Sequence, residues 1–391
     1  MKVLRALLAG VAVAATVAAP SSAHGCHVPA PPGSPSECGL VTVGTVEVSD
    51  AAGAGRVEVH GKLAAVLQRD EGIVSLVDVS KPDRPEVLGR YDGGVEQQRA
   101  GKSLDGDLAF SSDGKWLFYA RQSTQMSADG VHVIDVSDPS APVLRFYQPE
   151  GGTFRVEVYE TESETYVITM DAIGGLVVNR FDPTTGALAA VYADPQPAAR
   201  RVGGPASAGL VVDPKDPKLG VPVLYASSGT TGLQVYDLSA PEQPALLGSW
   251  GETGLAEIEL VRTKKSRTVY AATEYWFDES LEPEVVVLDA TDLGAIAEKK
   301  RFGLNVPAAE EFRLQGMTID QGRIYVAHSS LGLVGFDSAG HPVEYIAELG
   351  KRNDGSTELS DTYAFDVEAS KGILYVTDAA SGTLTLARRT R

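Results

Sequence analysis

A short phrase recurs along this chain and constrains its fold more than any other feature. "VHVIDVSDPSAPVLRFY" spans Val131–Tyr147, "VSLVDVSKPDRPEVLGRY" spans Val74–Tyr91 and "LQVYDLSAPEQPALLGSW" spans Leu233–Trp250. In each, a run of β-branched and aromatic residues reaches an Asp, passes a Pro-containing turn and resumes as a second run. This pattern predicts two β-strands joined by a tight corner.

The Asp that ends the first strand of the phrase marks a repeat through most of the chain. Equivalent residues occur at intervals of 47 to 57 positions, namely Asp78, Asp135, Asp182, Asp237, Asp289 and Asp337. A period of about 40–50 residues in a strand-rich chain is typical of β-propeller blades, whereas helical solenoids have shorter units. We interpret the repeated Asp as a corner residue that accepts hydrogen bonds from backbone N–H groups, and not as a metal ligand.

Each repeat contains four short strand-like segments, and the chain ends can close the repeats into a ring. Six repeats are complete, and a seventh near the C-terminus has three strands, the last being "TLTLARR". The segment Leu40–Asp50, "LVTVGTVEVSD", precedes the first repeat and predicts a strand without a blade. Pairing it with the last strand removes an exposed edge. The sequence therefore predicts an all-β, seven-bladed β-propeller of four-stranded antiparallel blades over residues 40–391, closed by an N-terminal strand.

The phrases "GLQVYDLSAPEQPALLGSW" and "VHVIDVSDPSAPVLRFY" resemble the LVIVD repeat of secreted and cell-surface bacterial and archaeal β-propellers. The resemblance extends over most of the chain after Leu40 and is closest in the first, second and fourth repeats. It implies the propeller architecture and supplies no catalytic motif.

The first 23 residues have the features of a secretory signal peptide. Lys2 and Arg5 precede the apolar run Ala6–Ala19, and small residues lead to Ala23. The run is shorter than the roughly 20 residues that span hydrocarbon, so we predict cleavage and a secreted, extracellular or cell-surface protein. The formal net charge of −18 and the lack of a basic stripe exclude nucleic-acid binding. With no second apolar span, we expect no membrane insertion, and we predict a monomer.

Residues 24–39 form a Pro-rich segment that contains both cysteines of the chain, Cys26 and Cys38. In an oxidising compartment these two residues predict a disulfide that closes a short loop. A redox-active pair is the alternative, and a structural clip is the interpretation that we prefer.

The predicted functional surface is one face of the ring. In a propeller, the loops that enter the first strand and those that join the second to the third form a funnel, an expectation that rests on analogy between folds. Here these loops combine carboxylates, arginines and consecutive aromatic residues, which suits a binding or scaffolding protein for an extracellular protein or a glycan. The predicted ligand-binding residues are Arg121, Arg155, Glu257, Glu274, Tyr275, Trp276 and Arg313.

Two other functions use the same surface. A hydrolase or lyase acting on a polar carbohydrate or lactone would need paired acid–base groups, and His328, Asp378 and Asp171 are the catalytic candidates. A Ca²⁺ ion would need hard oxygen ligands, and Asp171, Asp378 and Glu257 are the metal candidates. No other cofactor is predicted, since the chain has no Gly-rich phosphate loop between a strand and a helix. It also has no G-x-S-x-G nucleophile elbow. Acidic residues are so abundant that some lie together by chance, which favours binding over catalysis.

Overall fold

A computed structural model gives the architecture of the chain. It describes residues 37–49, 53–69, 71–93, 103–123, 130–149, 153–171, 175–194, 208–228, 231–251, 254–273, 282–306, 313–349 and 362–390. The predicted signal peptide (residues 1–23) and Cys26 lie outside these residues, so both the cleavage and the disulfide to Cys38 stay predictions.

The described residues form seven antiparallel sheets arranged as blades. Blade 1 consists of β3 (Ala54–His60), β4 (Leu63–Gln68), β5 (Ile73–Asp78) and β6 (Glu86–Tyr91). Blade 2 consists of β7 (Ser103–Phe110), β8 (Trp116–Ser123), β9 (Gly130–Asp135) and β10 (Val143–Pro149). Blade 3 consists of β11 (Thr153–Glu160), β12 (Thr165–Asp171), β13 (Gly175–Phe181) and β14 (Leu188–Ala193). Blade 4 consists of β15 (Ala208–Asp213), β16 (Val223–Ser228), β17 (Gly232–Asp237) and β18 (Ala245–Trp250).

The remaining three blades continue the same order. Blade 5 consists of β19 (Leu255–Arg262), β20 (Arg267–Thr273), β21 (Glu284–Asp289) and β22 (Ala297–Gly303), with a 3-10 turn at Leu293–Ala295. Blade 6 consists of β23 (Gly316–Asp320), β24 (Arg323–Ala327), β25 (Leu333–Phe336) and β26 (Pro342–Ile346). Blade 7 consists of β27 (Ala364–Ser370), β28 (Ile373–Asp378), β29 (Thr383–Arg389) and the N-terminal strand β2 (Leu40–Glu47).

Blade 7 confirms the predicted closure of the ring. Strand β2 pairs antiparallel with β29, with Leu40 opposite Arg389 and Glu47 opposite Thr383. The first strand of each blade packs against the first strands of the two neighbouring blades, including β27 against β3. The described part of the chain therefore forms a closed seven-bladed propeller, and the β2–β29 pairing, called the seam below, joins the two ends of the chain within blade 7.

One short strand was not predicted. Strand β1 (Glu37–Cys38) pairs with β26 at Ile346 and Tyr345, so blade 6 has five strands and not four. Two residues are too few to show a periodic pattern in sequence. This strand anchors the chain just before it enters the seam.

The core lies between blades, where the middle strands are buried on both faces. At the junction of blades 1 and 2, for example, Leu67 and Val74 pack with Leu117 and Tyr119. The outermost strands instead alternate between exposed and covered residues, as in β6. Strands buried on both faces need nearly continuous apolar runs, which explains the sequence of the second and third strands of each repeat.

The repeated Asp residues are corner residues, as predicted. Each of the six accepts a hydrogen bond through Oδ1 from the backbone N–H two residues later, at 2.7–3.1 Å. The donors are Ser80, Ser137, Thr184, Ser239, Thr291 and Ala339. The repeated phrase therefore encodes the turn from the third to the fourth strand.

We expect Asp237→Ala to lower the free energy of unfolding by about 1 kcal/mol, because the corner loses its side-chain acceptor. Asp237→Asn keeps an oxygen in the same position and serves as the matched control, with an expected loss well below that of the Ala variant. Urea unfolding of both variants measures the difference. Equal losses in the two variants would contradict the corner role of this residue.

Candidate functional site

The first strands of the odd-numbered blades share a pattern of charged residues that face the central channel. Strand β3 contains "RVEV", β11 contains "RVEV", β19 contains "EIEL" and β27 contains "DVEA". Because alternate residues of a strand point to the same side, the two charged residues of each pattern lie at two depths. The even-numbered blades have smaller or uncharged residues there, apart from Asp107.

The upper layer lies towards the end of the channel at which these strands begin, and it joins opposite blades by ion pairs. We define it as Arg56, Asp107, Arg155, Glu257 and Asp366, all of which line one cavity. Glu257 Oε2 lies 2.7 Å from Arg56 Nη1 and 3.4 Å from Arg155 Nη2. Arg56 Nη1 also lies 3.4 Å from Asp366 Oδ1. Blades 1, 3, 5 and 7 are thus connected through the channel.

The two Asp residues of the upper layer also bind backbone groups of the next blade. Asp366 accepts from Val57 N–H at 2.9 Å, and Asp107 accepts from Val156 N–H at 3.0 Å. Burial raises the pKa of Asp107 to about 7 although Arg155 and Arg56 oppose the shift. Burial also raises the pKa of Asp366, against the effect of Arg56.

A glycine makes room for one of these carboxylates. A Cβ atom on Gly316 in β23 would lie 2.0 Å from Asp366 Oδ1 and 2.8 Å from its Cα. Blade 6 therefore contributes no side chain at this depth, and the space is occupied by the Asp of blade 7.

The lower layer is a set of four glutamates, one from each odd-numbered blade. We define it as Glu58, Glu157, Glu259 and Glu368, which line the same cavity. Burial is the main cause that raises the pKa of Glu157 to about 8, with repulsion from Asp107 and Glu368 adding to it. Burial and then Asp366 raise the pKa of Glu368 to about 8. The pKa values of Glu58 and Glu259 are also well above the ordinary range, from burial and from their carboxylate neighbours.

The cavity between the two layers, which we call the upper cavity, has a volume of about 160 Å³. A second cavity of about 360 Å³ lies at the other end of the channel, against Glu58, Glu157 and Phe110. Sites for drug-sized ligands are usually about 300–1,000 Å³. The upper cavity is therefore large enough for one functional group of a ligand, and not for a whole one.

The structure places the predicted ligand-binding residues in different environments. Arg155 and Glu257 belong to the upper layer. Arg121 is 1 % exposed at the end of β8, and its charge contributes to lowering the pKa of His132. Arg313 is buried just before β23, and its carbonyl accepts from Ser329 Oγ at 2.9 Å. Glu274, Tyr275 and Trp276 lie outside the described residues.

The catalytic and metal candidates are not joined by any hydrogen bond in the described part of the chain. His328 is fully buried, burial lowers its pKa to about 4, and its two ring nitrogens have no hydrogen-bond partner among the described residues. Asp378 accepts from Tyr363 N–H at 2.7 Å and from Ser381 Oγ at 2.7 Å, which makes it part of a turn. Asp171 is the last residue of β12, and its side chain is not among those that the structure describes.

Among the described residues, no three His, Cys, Asp or Glu side chains are arranged to hold a metal ion. Because the structure does not describe the side chain of Asp171, the proposed Ca²⁺ site stays a prediction.

Most residues of the channel were not predicted from the sequence. Arg155 and Glu257 were predicted to bind ligand, whereas Arg56, Asp107, Asp366 and the lower layer were not. The signal was present, because aligning the first strands of the repeats puts four glutamates at one position. Within a single strand, however, "RVEV" has the alternation of any half-exposed strand.

The fold and the channel define a β-propeller with charged residues around its axis. Residues 127–147 match a family model described as the LVIVD repeat. A comparison with curated proteins finds no significant match.

The chain is similar in fold to Saccharomyces cerevisiae Sqt1, whose crystal structure aligns with a TM-score of 0.54 at 12 % identity. The alignment covers 86 % of this chain and 83 % of that one. At this identity the similarity concerns the fold alone. In the described part of the chain, no helix has the length and apolar character needed to cross a membrane.

Proposed function

We propose that this chain is a secreted binding or scaffolding protein that holds one polar group of its ligand at the funnel end of the channel. The observation that carries the proposal is the upper layer, in which two guanidinium and three carboxyl groups are fixed by ion pairs and backbone hydrogen bonds. Groups that are already held in place lose little conformational freedom when a ligand docks. Secretion is supported by the signal-like N-terminal sequence.

The size and polarity of the upper cavity suggest what it receives. A volume of about 160 Å³ admits a single side chain or sugar substituent. Its lining offers both charged acceptors and charged donors, which suits a hydroxyl-bearing or charged group. An extracellular protein that inserts a side chain, or a glycan that presents hydroxyl groups, fits this description, and the rest of either ligand would lie on the funnel face.

A hydrolase or lyase is the second candidate, and one observation favours it. Asp107 has a pKa of about 7 beside two arginines, and a carboxyl group that titrates near neutrality suits general acid–base catalysis. Its substrate would be a polar carbohydrate or lactone. Release of product from a stabilising ligand, followed by chromatography, distinguishes this function from binding.

We expect a screen of oligosaccharides and of Lys- or Arg-containing peptides, with and without Ca²⁺, to identify a class that raises the melting temperature. A ligand at 100 times its Kd stabilises a protein by about 2.7 kcal/mol. Glu257→Gln should weaken binding at least about tenfold, because the carboxylate that positions Arg56 and Arg155 is lost.

Glu162→Gln is the control for this screen, since Glu162 is exposed in the turn between β11 and β12. It should bind as tightly as the parent chain. A ligand that stabilises the parent and Glu257→Gln equally would show that binding does not use the upper layer, and a screen with no shift would remove the proposal.

A further inference from the structure

Among the described residues, the lower layer brings four carboxyl groups together without a cationic partner. Glu58, Glu157, Glu259 and Glu368 occupy one position of blades 1, 3, 5 and 7. In the described part of the chain, no Arg or Lys makes an ion pair with any of them. The upper layer differs, because there Glu257 is shared by two arginines.

The strands packed around the lower layer do not supply the missing positive charge. At this depth, β7, β15 and β23 contribute Ala109, Val211 and Thr318. The nearest charged groups above are the five members of the upper layer, which add three carboxyl groups against two guanidinium groups. Towards the other end, Glu160 accepts from Ser112, and Asp213 pairs with Arg262. The formal charges above and below the lower layer therefore each sum to a negative value, with three carboxyl groups against two guanidinium groups above, and Glu160 and Asp213 against Arg262 below.

Repulsion within the lower layer acts on the closure of the ring. The four glutamates belong to blades 1, 3, 5 and 7, so mutual repulsion pushes these blades away from the axis. The chain resists this movement covalently between successive blades, but inside blade 7 its two ends are held together by the β2–β29 pairing. That seam lies in the same blade as Glu368. It is formed by the two outer strands of the sheet, whose order is β27, β28, β29, β2.

We propose that protonation of the lower layer controls how firmly the propeller ring is closed. The ring is closed most firmly when these carboxyl groups are neutral, and it loosens at the β2–β29 seam as they ionise. This pH dependence of ring closure arises from the ring and its channel alone. It is independent of whether a ligand binds at the funnel.

The direction of the pH dependence follows from the pKa values. Glu157 and Glu368 keep their protons up to about pH 8 in the folded chain, whereas in the unfolded chain a Glu loses its proton near pH 4.3. Between these values the folded state holds more protons, so stability falls as pH rises. Burial lowers the pKa of His132 to about 3 and that of His328 to about 4. These two groups raise stability with pH up to about 6.5, so the histidines do not contribute between pH 6.5 and pH 8. Asp107, with a pKa of about 7, loses its proton in the same interval as the glutamates.

Urea unfolding at pH 6.5 and at pH 8 tests the proposal. We expect the unfolding equilibrium constant of the parent chain to rise at least about tenfold over this interval, since each retained proton contributes up to tenfold per pH unit. In the fourfold variant Glu58→Gln, Glu157→Gln, Glu259→Gln and Glu368→Gln, we expect that rise to shrink to the smaller part that Asp107 contributes. A matched control changes four exposed glutamates, Glu71, Glu86, Glu162 and Glu282, to Gln and should behave as the parent does.

Hydrogen exchange locates the effect within the ring. Between pH 6.5 and pH 8, protection factors of the amides in Leu40–Glu47 should fall more than those in Glu86–Tyr91, an outer strand away from the seam. A parent chain whose stability does not change with pH, a fourfold variant that keeps the parent slope, or equal loss of protection in both strands would each overturn the proposal.

A single substitution keeps the test decisive should the fourfold variant fail to fold. Glu157→Gln removes one of the carboxyl groups, and the number of protons released on unfolding at pH 7 should drop by about one relative to the parent. The single control Glu162→Gln should release as many protons as the parent. An unchanged proton release in Glu157→Gln would count against the lower layer as the source of the pH dependence.

Discussion

Removal of residues 1–49 is expected to abolish most of the free energy of unfolding of this propeller. The deletion leaves β29 without its partner and opens the ring within blade 7. Leu40 and Val48 are almost fully buried, and losing them costs about 3–6 kcal/mol together. Val48 also accepts through its carbonyl from Gln68 Nε2 at 2.6 Å and from Ser75 Oγ at 2.9 Å, both in blade 1. The combined loss is comparable to the 5–15 kcal/mol that stabilises a typical domain.

A shorter deletion separates the role of the strand from that of the segment before it. Removal of residues 1–36 together with Cys38→Ser keeps β1 and β2 and eliminates the predicted disulfide. This control should stay folded and lose at most about 3 kcal/mol, the value expected for a short disulfide loop. Thermal and urea unfolding compare the two deletions.

Complementation provides an independent test of the seam. A peptide that contains residues 37–49 should bind to the chain that lacks them and restore its melting temperature, because an extended peptide can complete a sheet edge through main-chain hydrogen bonds. Equal unfolding midpoints for the long and the short deletion would contradict the view that the seam holds the ring closed.

The fold was predictable because its signals are local. The Asp-containing corner follows directly from residues adjacent in sequence, and all six examples show the expected hydrogen bond. Closure was predictable for a different reason: Leu40–Asp50 had a strand pattern and no blade, while the last repeat had a vacant position. Strand β1 was not predictable, since its two residues carry no period.

The candidate site was harder to predict because its residues become neighbours only when the ring closes. Arg56 and Glu257 are separated by 201 positions in the chain, yet their side chains lie 2.7 Å apart. Arg121 shows the opposite case: its polarity and its position near a predicted loop suggested exposure, but it is 1 % exposed. A sequence pattern shows which residues alternate along a strand. Whether a charged side chain then faces solvent, the channel or a neighbouring blade depends on how the ring closes.

Arg267→Met is expected to lower the free energy of unfolding by about 3–5 kcal/mol at pH 7, the cost of leaving a buried charge without its partner. Arg267 Nη2 donates to Asp216 Oδ1 at 2.6 Å, and Arg267 Nε donates to Asp216 Oδ2. Both side chains are nearly inaccessible, at 3 % and 0 % exposure. The pair joins the turn that precedes β16 in blade 4 to the start of β20 in blade 5, so its loss weakens the junction of two blades.

Asp216 gives this substitution a pH signature. Burial alone would raise the pKa of Asp216, but hydrogen bonds from Arg267 and from the backbone of Leu219 and Lys218 outweigh burial and hold the pKa at about 2. In the parent chain the stabilisation is therefore complete above about pH 4 and is lost as pH falls through about 2. In Arg267→Met the unpaired carboxyl group has its pKa raised by burial, so the deficit relative to the parent should be largest at pH 7 and should shrink towards pH 4.

Two further variants isolate the buried pair from a general effect of removing an arginine. Arg180 forms exposed ion pairs with Glu164 and Glu242, and Arg180→Met should cost at most about 1 kcal/mol, with a much smaller pH dependence than Arg267→Met. The double variant Arg267→Met with Asp216→Asn should be more stable than the sum of the two single losses predicts, because it leaves no unpaired charge. Losses of similar size in Arg267→Met and Arg180→Met, or strict additivity in the double variant, would mean that the blade 4–blade 5 junction does not depend on this pair.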